Sequence, residues 1–324
     1  MTFTKHITYY CKMETSSSMK DNVEIRRNLA SLRENGMFCD ATICIPNEVK
    51  TLQVHRVVMS SCSEFFRSLF TNGLQETRQN KITIHGISVR MMELLIDYAY
   101  TSEVNITSAN AMELFEAADR FNVLGLLQEC INFLESEIGV ENCIGLWKFA
   151  RYYNNKQLKD ICWAYVTAHF PTVVELSDEF LQLSVDELLE IIKDDKLAVR
   201  SEDDVYNAVM KWAEHSPRER KDECFQLLSG VRFPFVTEQC FNDKILNRRD
   251  LKRSPCWERI NESYKLVKRF RSNKDISVKS RTAALARWIK PRVPSHIIFV
   301  LGGWAKAGVT DSLETYDKVS KSVP

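Results

Sequence analysis

Residues 38–70 read FCDATICIPNEVKTLQVHRVVMSSCSEFFRSLF, and this stretch decides how the first part of the chain folds. Two short strands, Ala41–Ile45 and Thr51–Val54, are expected on either side of a Pro46-Asn47-Glu48 turn. Val57, Val58, Phe65, Phe66, Leu69 and Phe70 follow at helical spacing. On the N-terminal side, Ile25, Leu29 and Leu32 recur at four and three residues and put one apolar stripe on a short helix, which Gly36 ends. Before that helix, residues 1–22 are polar, with a Ser16-Ser17-Ser18 run, and read as a tail. On the C-terminal side, Lys81–His85 is a third strand candidate. Met91–Tyr100, the set Leu114, Ala117, Ala118 and Phe121, and Leu124–Leu134 are helical. A few short strands among many helices predict an α+β domain over 23–138.

Beyond residue 139 the pattern changes. No strand is expected between 139 and 243, and helix starts are marked instead. Ser184 and Glu187 have the spacing of a capping box, and Ser201 precedes Glu202, Asp203 and Asp204 at the positive end of a helix dipole. Val205, Ala208, Val209 and Trp212 give that helix a buried face. Residues 139–243 therefore read as an all-α domain. The stretch 175–204 carries eleven acidic and three basic residues and reads as a solvated helical face. Residues 244–292 read as a helical and basic connector, whose last part, 268–292, holds nine basic residues and one acidic. At 293–324 a strand-rich style appears in HIIFVLGGW and SLETYDK. A single blade-like unit of about thirty residues cannot bury its own hydrophobic face, so this element is expected to be incomplete.

Composition narrows the function classes. A length of 324 residues suggests two or three domains, and 44% hydrophobic with 27% charged residues is globular composition. Lys+Arg 44 against Asp+Glu 43 leaves a net charge of +1, so a general polyanion binder is not implied. The basic stretch 268–292, with Phe270 and Trp288 as stacking candidates, reads as a solvated connector, and no nucleic-acid partner is expected. Ten cysteines are scattered through apolar stretches, and MTFTKHITYYCKME has no apolar signal core. Free thiols in a reducing, intracellular compartment are expected. The apolar runs fall far short of the roughly 20 residues needed to cross a bilayer, so no membrane association is expected. No G-x-S-x-G, Walker A or G-x-G-x-x-G pattern occurs. Cys39, Cys44 and His55 lack the further ligands of a zinc site. No catalytic residue, metal or cofactor is therefore assigned. Asp40, His55 and Arg56 sit at strand and helix ends and are read as structural.

Three stretches resemble a known family. FCDATICI with LQVHRVVMSSCSEFFRSLF is similar to the BTB (POZ) pattern. FLQLSVDELLEIIKDDKLAVRSEDDVYNAVMKW with LLSGVRFPFV is similar to the BACK domain. Gly302-Gly303 with Leu313-Glu314-Thr315-Tyr316-Asp317 resembles the opening of a kelch repeat. The order is that of the BTB–BACK–kelch family. The resemblance implies an α+β BTB domain, an all-α BACK domain and a fragment of a β-propeller, cut within its first kelch repeat. It also implies a non-catalytic substrate adaptor of a cullin-3 ubiquitin ligase, cytoplasmic with a nuclear pool. Its BTB domain would form homodimers, or heterodimers with other BTB–kelch proteins, and its propeller would capture a protein substrate.

Residue by residue, the resemblance places Leu74, Gln75 and Glu76 in a cullin-contacting loop and Phe121 at the cullin face. It places Ile25, Leu29 and Leu32 in the dimer interface. The helices around Cys143–Val174, with Ile144, Leu146, Phe149 and Tyr152, correspond to the region where a cullin extension inserts. The rival reading is an actin-associated BTB–kelch scaffold with no ligase role. A BTB transcriptional regulator would need a DNA-binding module.

Overall fold

The computed structural model describes residues 23–72, 79–254, 256–272, 292, 297–305 and 308–317. The chain forms two compact units, residues 1–137 and 138–324.

The first unit opens with a helix over 23–34, α1. It ends in a Schellman motif: the Met37 N–H donates to Leu32 O, the Gly36 N–H donates to Arg33 O, and Gly36 takes φ +64°. Strand β1 (Ala41–Cys44) lies at the centre of a three-stranded sheet, antiparallel to β2 (Thr51–Val54) and parallel to β3 (Lys81–Thr83). Ala41, Ile43 and Ile45 are buried on one face of it. Helices α2 (Arg56–Cys62) and α3 (Glu64–Thr71) follow, then α4 (Val89–Thr101), α5 (Ala111–Arg120) and α6 (Leu124–Ser136).

The single helix expected over the VVMSSCSEFF stretch is two helices broken at Ser63. The backbone of Ser63 is extended, its Oγ accepts the Phe66 N–H and caps α3, and its hydroxyl donates to Phe121 O at 2.5 Å. A serine followed directly by Glu64 is a helix-start signature, which the continuous apolar spacing obscures.

His55 is buried at the start of α2. Its N–H donates to the Tyr100 hydroxyl at 2.8 Å, its Nδ1 lies 2.8 Å from the same hydroxyl, and its Nε2 lies 2.8 Å from Met37 O. The set is satisfied when Nε2 donates to the carbonyl and the tyrosine donates to Nδ1. Burial pushes the Tyr100 hydroxyl up to about 12, so it stays protonated in this role. Removing it strands two buried groups of His55. Tyr100→Phe is therefore expected to lower the stability of this unit by about 1–3 kcal/mol, read as a shift in its denaturant midpoint with an unchanged slope.

The second unit is helical from residue 143 to 272. Helices α7 (Cys143–Tyr152) and α8 (Lys156–Ala168) form a hairpin. Asn154 turns it at φ +52°, and the Asn155 side chain caps α8 through the Leu158 N–H. Helix α9 (Phe170–Leu176), a 3₁₀ turn (Asp178–Gln182), α10 (Val185–Lys193), α11 (Glu202–His215) and α12 (Lys221–Leu228) complete the core. The Ser184–Glu187 capping box is formed at the start of α10. Helix α11 buries Val205, Tyr206, Ala208, Val209, Met210, Trp212 and Ala213.

The stretch 175–204 is not simply a solvated face. Glu202 is buried, Asp203 accepts the N–H and hydroxyl of Thr237, Asp194 accepts the Trp163 Nε1–H at 2.6 Å, and Asp195 pairs with Arg232. These acids bind donors far away in the chain, so a local charge count gives them to solvent. Part of the connector likewise joins the core. Leu251 and Ile260 are buried, and Tyr264 of α13 (Trp257–Ser272) stacks on Phe241 with centroids 3.6 Å apart. An antiparallel hairpin, β4 (Ile297–Ala305) and β5 (Gly308–Asp317), ends the described chain, with a register shift between Leu301 and Gly303.

Candidate functional site

The candidate interaction surface of the first unit lies around α3. Leu74, Gln75 and Glu76 fall outside the described residues, but the chain on both sides of them is tied to Arg56. The Arg56 N–H donates to Asp40 Oδ1 at 2.8 Å and its Nε–H to Asp40 O at 3.3 Å. Its Nη2 donates to Gln79 O at 2.7 Å, and the guanidinium lies 5.3 Å from the centroid of the Phe70 ring. One arginine thus holds the last turn of α3 and the residue where the described chain resumes.

Phe121 is not at the surface. Its ring is 0% exposed, stacked on Phe66 at 5.8 Å and meeting Phe65 edge-on at 5.0 Å. Helix α5 ends at Phe121, and Asn122 turns left-handed at φ +51° while the Val123 N–H donates to Ala118 O. That turn places the ring under α3 rather than outside it. The aromatic that does reach solvent is Phe65, 37% exposed above Phe121. Sequence reasoning treated Phe65 and Phe66 alike. Adjacent helical positions point about 100° apart, so one of the pair is buried and the other belongs to the surface.

Ile25 is 57% exposed, while Leu29 and Leu32 are half-buried. Arg33 anchors α1 through Asp97 at 2.8 Å and sits over the Tyr100 ring. Val23, Met37 and Phe38 are also exposed. The apolar stripe of α1 is thus only partly covered within one chain.

In the second unit, Ile144 and Leu146 are buried in the α7–α8 hairpin, where Trp147 meets Trp163 at 5.3 Å. Tyr152 is 82% exposed and packs edge-on against Tyr153. Of the four side chains named for this region, Tyr152 is the outward one. Gly302 and Gly303 lie on β4 at the register shift, and Tyr316 and Asp317 end β5 opposite Ile298 and Ile297.

Five buried thiols are poorly suited to nucleophilic chemistry. Burial pushes Cys130 and Cys162 up to about 12 and Cys143, Cys224 and Cys240 up to about 11. The nine cysteines of the described residues are free, and no group of three metal-ligating side chains occurs among those residues. No helix among them is long and apolar enough to cross a membrane.

Comparison with known proteins fits these two units. Residues 29–138 match the family model of the BTB/POZ domain, and residues 143–246 match that of BACK, described as BTB And C-terminal Kelch. Among solved structures, the BTB domain of zebrafish PATZ1 is similar at 26% identity, covering 37% of this chain and 95% of that one, with a TM-score of 0.33. Domains in this arrangement are typical of non-catalytic adaptor proteins, and the BTB domain implies dimerisation and protein–protein interaction. The chain therefore carries an α+β BTB/POZ domain followed directly by a helical BACK domain.

Proposed function

We propose that this chain is the non-catalytic adaptor of a cullin-3 ubiquitin ligase, dimeric through its BTB domain and binding cullin through BTB and BACK together. The observation that carries the reading is the direct succession of the two matched domains, 29–138 and 143–246. Ile25, Leu29 and Leu32 form the two-fold contact, since an isologous interface uses one apolar stripe twice. Leu74, Gln75 and Glu76 make the cullin contact, Phe65 adds an exposed aromatic on α3, and Phe121 supports that helix from beneath. In the BACK domain, Tyr152 and the α7–α8 hairpin receive the cullin extension.

Gly302, Gly303, Tyr316 and Asp317 mark the hairpin as part of a kelch repeat, whose complete propeller would bind a protein substrate. The runs NCIG at 142–145 and ELSDEFLQLSVDEL at 175–188 resemble the kelch-like protein 10 subfamily. The working compartment is the cytoplasm, with a nuclear pool.

A leucine fully buried in a partner pocket contributes about 1.5–3 kcal/mol, and a charge-assisted hydrogen bond about as much. Leu74→Asp combined with Glu76→Lys is therefore expected to weaken cullin-3 binding by about a hundredfold or more. Titration calorimetry with the cullin-3 N-terminal domain reads the change, and light scattering should show the dimer intact. Binding that survives both substitutions would remove this loop from the contact.

A further inference from the structure

The described residues contain a buried charge pair that joins positions ninety residues apart. Arg292 Nε donates to Glu202 Oε1 at 2.5 Å and Nη2 to Glu202 Oε2 at 3.2 Å, while Nη1 donates to Asp194 O at 2.8 Å. Both side chains are 4% exposed. Glu202 Oε2 also accepts the Arg232 N–H at 3.1 Å, and Arg232 itself pairs with Asp195 at 2.5 Å. Asp194 takes the Trp163 indole on its carboxylate as well. One arginine thus closes a polar cluster that includes α8, the end of α10, the start of α11 and the turn at 232.

This geometry is built for an arginine. The planar fork meets both carboxylate oxygens and still has a third donor for a carbonyl. Without it, Glu202 would be a carboxylate buried with a single backbone donor, an arrangement that is strongly unfavourable. The helical domain is therefore incomplete at residue 246, where the family match ends, and also at Ser272, where α13 ends. Strand β4 begins five residues after Arg292, so its start lies within about 18 Å of that arginine whatever the intervening chain does.

We propose that Arg292 is a strap: it completes the BACK domain from outside the matched region and holds the start of the C-terminal hairpin beside α11. The start of the hairpin is then tethered within about 18 Å of that arginine. This holds whether or not the BTB domain binds a cullin, so the cullin titration and the strap experiment fail separately.

The test uses the full chain with a photo-crosslinking amino acid at position 295 and, in parallel, hydrogen exchange. In the wild type, cross-links are expected at residues 194–205. In Arg292→Gln they should fall by about tenfold, while the amides of 194–205 and of Arg232 exchange at least about tenfold faster. The α7 and α8 amides should be unchanged. Adding Glu202→Gln removes the stranded charge and should restore the exchange protection without restoring the cross-link. Should Arg292→Gln fail to fold, Arg292→Lys retains the charge but not the fork, and a partial loss of the cross-link is then expected. Cross-links and exchange that do not respond to Arg292→Gln, or cross-links that do not respond to Arg292→Lys, would overturn the strap.

Discussion

Phe121→Ala is expected to destabilise the BTB domain by about 3–5 kcal/mol, the usual cost of deleting a fully buried phenylalanine ring. The ring is 0% exposed and lies between Phe65 and Phe66 at the junction of α3 with the end of α5. The Phe121 carbonyl also accepts the Ser63 hydroxyl that belongs to the cap of α3. Its truncation leaves a cavity under the helix that presents Phe65 and leads towards Leu74. Denaturant unfolding of the full chain should show the BTB transition moved to lower denaturant while the BACK transition stays in place. A residue that acted only by touching a partner would leave both transitions unmoved. Loss of cullin binding by Phe121→Ala, at concentrations where the domain remains folded, would then reflect a displaced α3 rather than a lost contact.

Trp212→Ala is expected to act on the BACK domain with similar force, about 3–5 kcal/mol. Trp212 is 1% exposed on α11, and its Nε1–H donates to Leu183 O at 2.8 Å. Arg220 lies over the indole at 4.0 Å and donates to Trp212 O at 2.9 Å and Leu181 O at 2.8 Å. One side chain thus links α11 to the turn before α10 and to the start of α12. Trp212→Phe keeps most of the apolar volume but leaves the Leu183 carbonyl without its donor, and should cost about 1–3 kcal/mol. Thermal unfolding of the three proteins would rank them wild type, Trp212→Phe, Trp212→Ala. Equal melting of Trp212→Phe and Trp212→Ala would show that the hydrogen bond rather than the volume matters.

What could be read from the sequence was what is local. The strand Thr51–Val54 and the Ser184–Glu187 capping box depend on neighbours within a few residues, and both are found where they were expected. Gly36 ends α1 because only a positive φ closes the Schellman motif there, again a local requirement. The break at Ser63 was missed because apolar residues at helical spacing continue across it. The misplacement of Phe121 has a related cause: an aromatic at the end of a helix can face either way until the following left-handed turn is known. Long-range polar pairing left no local trace. Glu202 is one acid among eleven in its stretch and Arg292 one base among nine in its own. Only the folded chain brings them together. The loop 74–76 comes from the family pattern and lies outside the described residues, while the exposed edge of Phe65 needed the helix to be placed.

As proposed above, this BTB–BACK pair binds cullin-3 as a dimer. The most direct measurement is a titration of the purified full chain against the cullin-3 N-terminal domain, with light scattering to count subunits. Saturable binding as a two-to-two complex is expected, lost on Leu74→Asp with Glu76→Lys. A clean dimer with no affinity for cullin-3 would contradict it, leaving a BTB–BACK protein that assembles with itself and performs some other scaffolding task.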